Sequence, residues 1–127
     1  MKKFISIKKK INKFSKIIVV DGDKSISIRS LIFASLATGK SKIKNLLESE
    51  DVLSAVSCLK MLGVKINKKK NQYLVKGVGI NKFKYKKKIT LDAGNSGTLA
   101  RLILSTLINS PFKIKLIGDK SLSKRDF

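Results

Sequence analysis

This chain contains no histidine and no tryptophan, and only one proline and one cysteine. The missing imidazole excludes histidine-based acid–base chemistry and histidine metal ligands from these residues. A lone Cys58 cannot close an internal disulfide, and its apolar helical surroundings make it a packing residue rather than a nucleophile. Aromatic residues make up 6%, too few for the stacking platforms on which single-stranded RNA is read. No apolar run nears the ~20 residues of a membrane span. The basic stretch Met1 to Lys10 lacks the apolar core and cleavage site of a secretory signal, so the expected location is the cytoplasm. Acidic side chains are scarce too: 8 against 29 Lys+Arg, for a net charge of +21. Such a charge attracts polyanions, and nucleic acid is expected to adhere non-specifically at low salt. The Lys-Lys-Lys runs beginning at Lys8, Lys68 and Lys86 fall between apolar segments and read as solvated loops.

Against these absences stand 43% hydrophobic residues with clear periodicity, enough in 127 residues for a core of ordinary size. The β-branched run predicts a strand over Lys16–Asp21, after a basic segment from Met1 to Ser15. A helix is predicted over Ser25–Ala37, with Ile28, Leu31, Ile32 and Leu36 on one stripe and Gly39 as its stop. A short strand at Ser41–Asn45 comes next. Ser49-Glu50-Asp51 then reads as a helix cap followed by first-turn acids, with Val52, Ala55, Val56, Leu59 and Leu62 as the buried stripe and Gly63 as the stop. Val64–Asn67 and Tyr73–Lys76 read as paired strands around a Lys68–Gln72 turn. Beyond them lie a strand at Lys88–Asp92, a helix at Ser96–Ile108 ended by Asn109-Ser110-Pro111, and a strand at Lys113–Ile117. The chain is therefore α/β (α+β), one β-α-β-α-β-β unit over 16–87 and part of a second over 88–127, preceded by the basic segment 1–15.

Three octets carry the chemistry. Gly22-Asp23-Lys24-Ser25-Ile26-Ser27-Ile28-Arg29 and Gly118-Asp119-Lys120-Ser121-Leu122-Ser123-Lys124-Arg125 share the letters G-D-K-S-x-S-x-R. Gly94-Asn95-Ser96-Gly97-Thr98-Leu99-Ala100-Arg101 repeats the spacing, 72 residues after the first. Each follows an apolar run, so each reads as a strand turning into a helix, whose free N–H groups and dipole favour anions. Only three residues of the chain are arginine, and each closes one octet. Guanidinium grips phosphate or carboxylate with a planar fork that lysine lacks. Lys24 and Ser25 stand at the first turn, and a helix starting there puts Ser25 and Arg29 on one face.

The ordered set Gly22–Arg29, Leu46-Leu47-Glu48-Ser49-Glu50-Asp51, Leu62-Gly63-Val64, Gly94–Thr98 with Arg101, and Gly118–Arg125 resembles the enolpyruvyl transferase family, and within it enolpyruvylshikimate-phosphate synthases. The resemblance runs over nearly the whole chain from Asp21. It implies a far longer two-lobed enzyme, each lobe made of three such units, with the active site in the cleft between the lobes and residues 1–15 associating with the other lobe. The implied reaction joins the 5-hydroxyl of shikimate 3-phosphate to phosphoenolpyruvate and releases phosphate, with no cofactor and no metal. By the same resemblance Lys24 contacts both substrates and is the one candidate catalytic residue. Ser25 and Arg29 hold shikimate 3-phosphate, while Asn95, Gly97 and the turn to Thr98, with Arg125, hold phosphoenolpyruvate. Arg101 either braces its turn or touches ligand.

Departures from the family pattern touch the loops: Ile28 stands where histidine is common, Asp21 where proline is usual, and Asp126 in place of a proline after Arg125. The acidic residues supply no acid–base pair, since Asp23 and Asp119 sit in the anion turns and Glu50 and Asp51 read as helix-start charges. The resemblance places the acid–base groups in the other lobe, so the partner implied is the missing C-terminal part of the same enzyme, monomeric when complete and without a membrane. Two alternatives stay open: a basic nucleic-acid-binding protein of ribosomal or nucleoid type, and the transferase acting on UDP-N-acetylglucosamine, which usually has Lys-Asn where Lys24-Ser25 stands.

Overall fold

The computed structural model describes residues 20–126 together with residues 6, 15 and 17. Most of the basic segment 1–15, and half of the strand expected over Lys16–Asp21, lie outside the described residues; residues 17, 20 and 21 are not in a strand. The element order is α1 (Lys24–Leu36), β1 (Thr38–Lys44), α2 (Glu50–Met61), β2 (Lys65–Lys69), β3 (Gln72–Val78), β4 (Lys88–Asp92), α3 (Gly97–Thr106) and β5 (Lys113–Ile117), then a single 3₁₀ turn at Leu122–Lys124.

Helix α1 starts where Asp23 supplies its cap: the carboxylate accepts the Ile26 N–H at 2.7 Å. Its stripe is the predicted one, with Ile28, Leu31 and Ile32 buried and Leu36 half-buried. The helix closes earlier than expected, the Ala37 N–H bonding to Phe33 O, and β1 begins at once. Gly39 is thus no helix stop but the second residue of β1. In α2 all five stripe residues from Val52 to Leu62 are buried. Ser49 occupies the cap position without a side-chain cap bond, so charge at Glu50 and Asp51, rather than a hydroxyl, favours this helix start. Helix α3 is capped by Ser96, which accepts the Leu99 N–H at 3.2 Å. It ends at Thr106, short of the predicted Ile108, because the Leu107 N–H turns back to Leu104 O.

Strands β1, β3 and β2 form an antiparallel sheet in that order, with β3 central. Ile66, Tyr73 and Val75 are its buried positions, and α1 packs on β3 and on α2. The lysine run from Lys68 is not a loop as expected. Lys68 and Lys69 complete β2, pairing with Tyr73 and Gln72, and only Lys70, at φ +52°, makes the turn. Lys68 is also not simply solvated, because its ammonium meets the Glu48 carboxylate at 2.6 Å. Likewise Lys88 opens β4, leaving Lys86 and Lys87 to the loop. Strands β4 and β5 pair in parallel from Lys88↔Lys113 to Asp92↔Ile117, with α3 as the crossover between them. One continuous core joins the two sheets through Leu31, Ala55, Leu59, Leu91, Leu99 and Ile103.

Cys58 packs in that core as expected and donates its S–H to Asp92 O at 3.3 Å. Burial pushes its thiol up to about 11, so it carries no thiolate near neutrality. Among the described residues no helix is long and apolar enough to cross a membrane, and no cluster of three metal-ligating side chains occurs.

Candidate anion-binding site

The parallel pair β4–β5 sets the geometry. Both strands end together, so the loops that follow, octets two and three, lie side by side at their carboxyl ends, where open parallel sheets place ligands. Backbone bonds join the loops: Ala93 N–H donates to Ile117 O at 2.9 Å and Asp119 N–H to Gly94 O at 2.8 Å. Octet one reaches the same place from the start of α1, which packs against α3. A cavity of about 440 Å³ opens between them, walled by Lys24, Arg29, Arg101 and Arg125, by the turn Asn95–Thr98, and by Leu102.

Each cation is positioned differently. Arg125 donates from Nη2 to Asn95 Oδ1 at 3.0 Å, and Asn95 Nδ2 donates to Asp119 Oδ2 at 2.5 Å. The other Asp119 oxygen accepts the Leu122 N–H at 2.7 Å. That backbone bond is the largest influence; with Asn95, the Ser121 N–H and the nearby Arg125 charge it holds the Asp119 carboxyl below its ordinary value, against the opposing effect of burial. The chain Asp119–Asn95–Arg125 therefore fixes a guanidinium at the cavity wall. Gly97 gives it room, since a Cβ at that position would stand 3.1 Å from Arg125 Nη1, a tight contact. Lys24 is held from the other side, its Nζ 2.8 Å from Asp51 Oδ2. Arg29 and Arg101, both exposed, complete the wall.

The structure thus brings together Lys24, Arg29, Asn95, Gly97, Arg101 and Arg125 from the sequence-derived set, and Thr98 with them. Ser25 is different: it is half-buried on α1 and does not line this cavity. The octet aspartates also act otherwise than the open-turn picture implies. Asp23 and Asp119 each take an N–H three residues on for themselves, which leaves side-chain cations and the α3 turn as the groups facing the cavity.

Sequence reasoning missed the partnership of Asp51 with Lys24. No local signal could have found it, because it requires α1 and α2 to pack. Glu48 was missed as well. It accepts the Tyr73 hydroxyl at 3.1 Å and pairs with Lys68, pinning the loop before α2 to the sheet. Chiefly through the Lys68 bond, its carboxyl is held below the usual range, so Glu48 is unsuited to proton donation near neutrality.

Comparison with known proteins gives the decisive observation: residues 8–126 match the family model of EPSP synthase (3-phosphoshikimate 1-carboxyvinyltransferase). This chain belongs to the EPSP synthase family. The 3-phosphoshikimate 1-carboxyvinyltransferase of Bacillus cytotoxicus is 44% identical over 108 residues, 85% of this chain and 25% of that protein. The enzyme of the same name from Streptococcus pyogenes serotype M1 is 46% identical over the same shares. Among solved structures, EPSP synthase from Acinetobacter baumannii superposes with a TM-score of 0.73 at 38% identity, covering 85% of this chain and 24% of that one. The chain spans about a quarter of the length of the curated relatives it matches. Its mixed helix-and-strand architecture is that of these EPSP synthase neighbours.

Proposed function

We propose that this chain supplies part of the substrate site of an enzyme that transfers enolpyruvyl from phosphoenolpyruvate to the 5-hydroxyl of shikimate 3-phosphate. In that reaction the hydroxyl gives up its proton as its oxygen bonds to C2 of phosphoenolpyruvate, and C3 takes a proton. The tetrahedral adduct then loses a proton from that carbon together with inorganic phosphate, restoring the double bond. Both substrates are phosphorylated anions. The observation that carries the reading is the convergence of Lys24, Arg29, Arg101 and Arg125 on one cavity, in a chain where arginine occurs nowhere else.

Within it, Arg29 holds shikimate 3-phosphate from the cavity wall, with Ser25 beside the cavity at the start of α1 as its expected companion. Asn95, Gly97 and Arg125 hold phosphoenolpyruvate at the α3 turn, and Lys24 bridges the two. The fixed guanidinium of Arg125 suits a phosphate or carboxylate, because its fork is oriented before ligand arrives. Arg101, one turn into α3 on the same wall, adds positive potential. The family resemblance assigns the proton transfers to groups in the rest of the enzyme; consistent with that, Asp23, Glu48, Asp51, Asp92 and Asp119 each already serve a cap, a turn or an ion pair. Confinement of arginine to this wall favours small phosphorylated substrates over a polyanion. Ser25, rather than asparagine, after Lys24 favours shikimate 3-phosphate over a UDP-sugar.

The test is a titration of the chain with each substrate, followed by backbone amide shifts. Shikimate 3-phosphate is expected to move the start of α1, and phosphoenolpyruvate the turn 95–98 and Arg125. Equal, diffuse shifts along the lysines of β1 and β2 with both ligands would support the polyanion reading instead. The chain alone is expected to release no phosphate, and release dependent on both substrates would contradict the assignment of proton transfer to the remainder of the enzyme.

A further inference from the structure

Lys24 reaches the cavity with its ammonium already engaged. The Lys24 side chain is 51% exposed and that of Asp51 only 14%, with 2.8 Å between Nζ and Oδ2. Asp51 belongs to the first turn of α2, where the helix dipole favours a negative charge and the backbone fixes its place. It is not among the residues that line the cavity, whereas Lys24 is. Lysine's four-carbon stem is flexible, and an ammonium among neighbouring guanidiniums has no reason of its own to stay at the wall. Arg125 is oriented by a neutral amide. Lys24 is oriented by a full opposite charge, which an incoming phosphate must compete with.

We propose that Asp51 is a positioning residue for Lys24: it presets the ammonium at the cavity wall and yields it, in part or whole, to the substrate phosphate. The proposal rests on the reading of the cavity as a phosphate site. Its two consequences have opposite signs. Removing the carboxylate removes a competitor, so anions bind more tightly. The same change frees the ammonium, so turnover slows. A carboxylate serving only as a helix-start charge does neither.

The probe is inorganic phosphate, titrated at low salt into the parent chain, Asp51→Asn, Asp51→Glu and Glu50→Gln. The side-chain carbon signals of Lys24 and Asp51 and the arginine Nε signals report the response. Glu50 is the control because it puts the same charge on the same helix turn. Phosphate is expected to shift both Lys24 and the Asp51 carboxyl carbon in the parent. Asp51→Asn is expected to bind phosphate roughly twofold to fivefold more tightly, the range that exposed ion pairs reach. Asp51→Glu and Glu50→Gln should stay within about twofold of the parent. In the complete enzyme, Asp51→Asn should lower KM for shikimate 3-phosphate and kcat together, with Asp51→Glu recovering kcat.

If phosphate moves Arg29 and Arg125 but leaves Lys24 or the Asp51 carboxyl silent, the positioning role is wrong and the phosphate site stands. Equal gains in Asp51→Asn and Glu50→Gln overturn it as well. If phosphate moves none of Lys24, Arg29 and Arg125, the site itself fails. Should Asp51→Asn not fold, the parent's Asp51 carboxyl signal still decides the matter.

Discussion

Octets one and three are spelled alike and fold differently. Asp23 caps Ile26 and Asp119 caps Leu122, both at 2.7 Å, so the first residues of each obey the same local physics. Then they part. Octet one continues into the 13-residue α1, whereas octet three makes only a 3₁₀ turn of 3 residues. The buried position changes with it. Ile28 is 0% exposed while Ile26 is 65% exposed; in octet three Leu122 is buried and Lys124, the counterpart of Ile28, faces solvent. The capping letters start a turn, and the apolar residues that follow decide whether it becomes a helix. After Arg29 come Leu31 and Ile32, which α1 buries. Each route still delivers its arginine to one cavity, Arg29 from a helix wall and Arg125 through Asn95.

The largest effect that sharpens this contrast is expected in the core. Ile28→Ala should cost about 2–5 kcal/mol, whereas Ile26→Ala, at the position matching Leu122, should cost less than about 0.5 kcal/mol. Urea unfolding of the two variants measures the difference, and similar midpoints would mean that octet one does not bury the side chain described. The cap comes next. Asp23→Ala should cost about 0.5–2 kcal/mol of stability by the same measurement, because α1 loses an N-terminal partner. Asp119→Ala should instead act mainly on the site, letting Arg125 swing away from Asn95, visible as loss of the Arg125 Nε shift in phosphate titrations.

The smallest effect is in pH. The folded Asp119 carboxyl is depressed, so its contribution is complete above the ordinary aspartate range and is lost as pH falls through the lower folded value. The Leu122 amide should report that loss with a midpoint below that of an unstructured aspartate. A midpoint at or above the ordinary range would show that the Asp119–Leu122 bond does not hold the turn.

Much of this was legible in the sequence where the signal is local. Lys88–Asp92 and Lys113–Ile117 are strands with the predicted bounds, because short apolar runs that alternate with polar residues at their start need no distant partner to specify them. The stripe of α2 was equally plain. What escaped depends on packing. Lys68 and Lys69 read as loop until β3 is seen to pair with them, and Asp51 reads as a helix-start charge until α1 brings Lys24 against it. Ser25 shows the limit from the other side: a shared helix face with Arg29 did not place it on the same cavity wall.

The central claim is that the cavity recognises phosphate by guanidinium geometry and not by the charge of +21. The most direct test is Arg29→Lys, which leaves net charge unchanged, set against Lys69→Ala at the exposed end of β2, which does not. Both are titrated with shikimate 3-phosphate in the complete enzyme at moderate salt. Loss of one charge-assisted bond, worth about 1.5–3 kcal/mol, predicts binding weaker by roughly tenfold or more for Arg29→Lys, and little change for Lys69→Ala. Parent-like binding by Arg29→Lys, or a larger loss in Lys69→Ala, would contradict the claim.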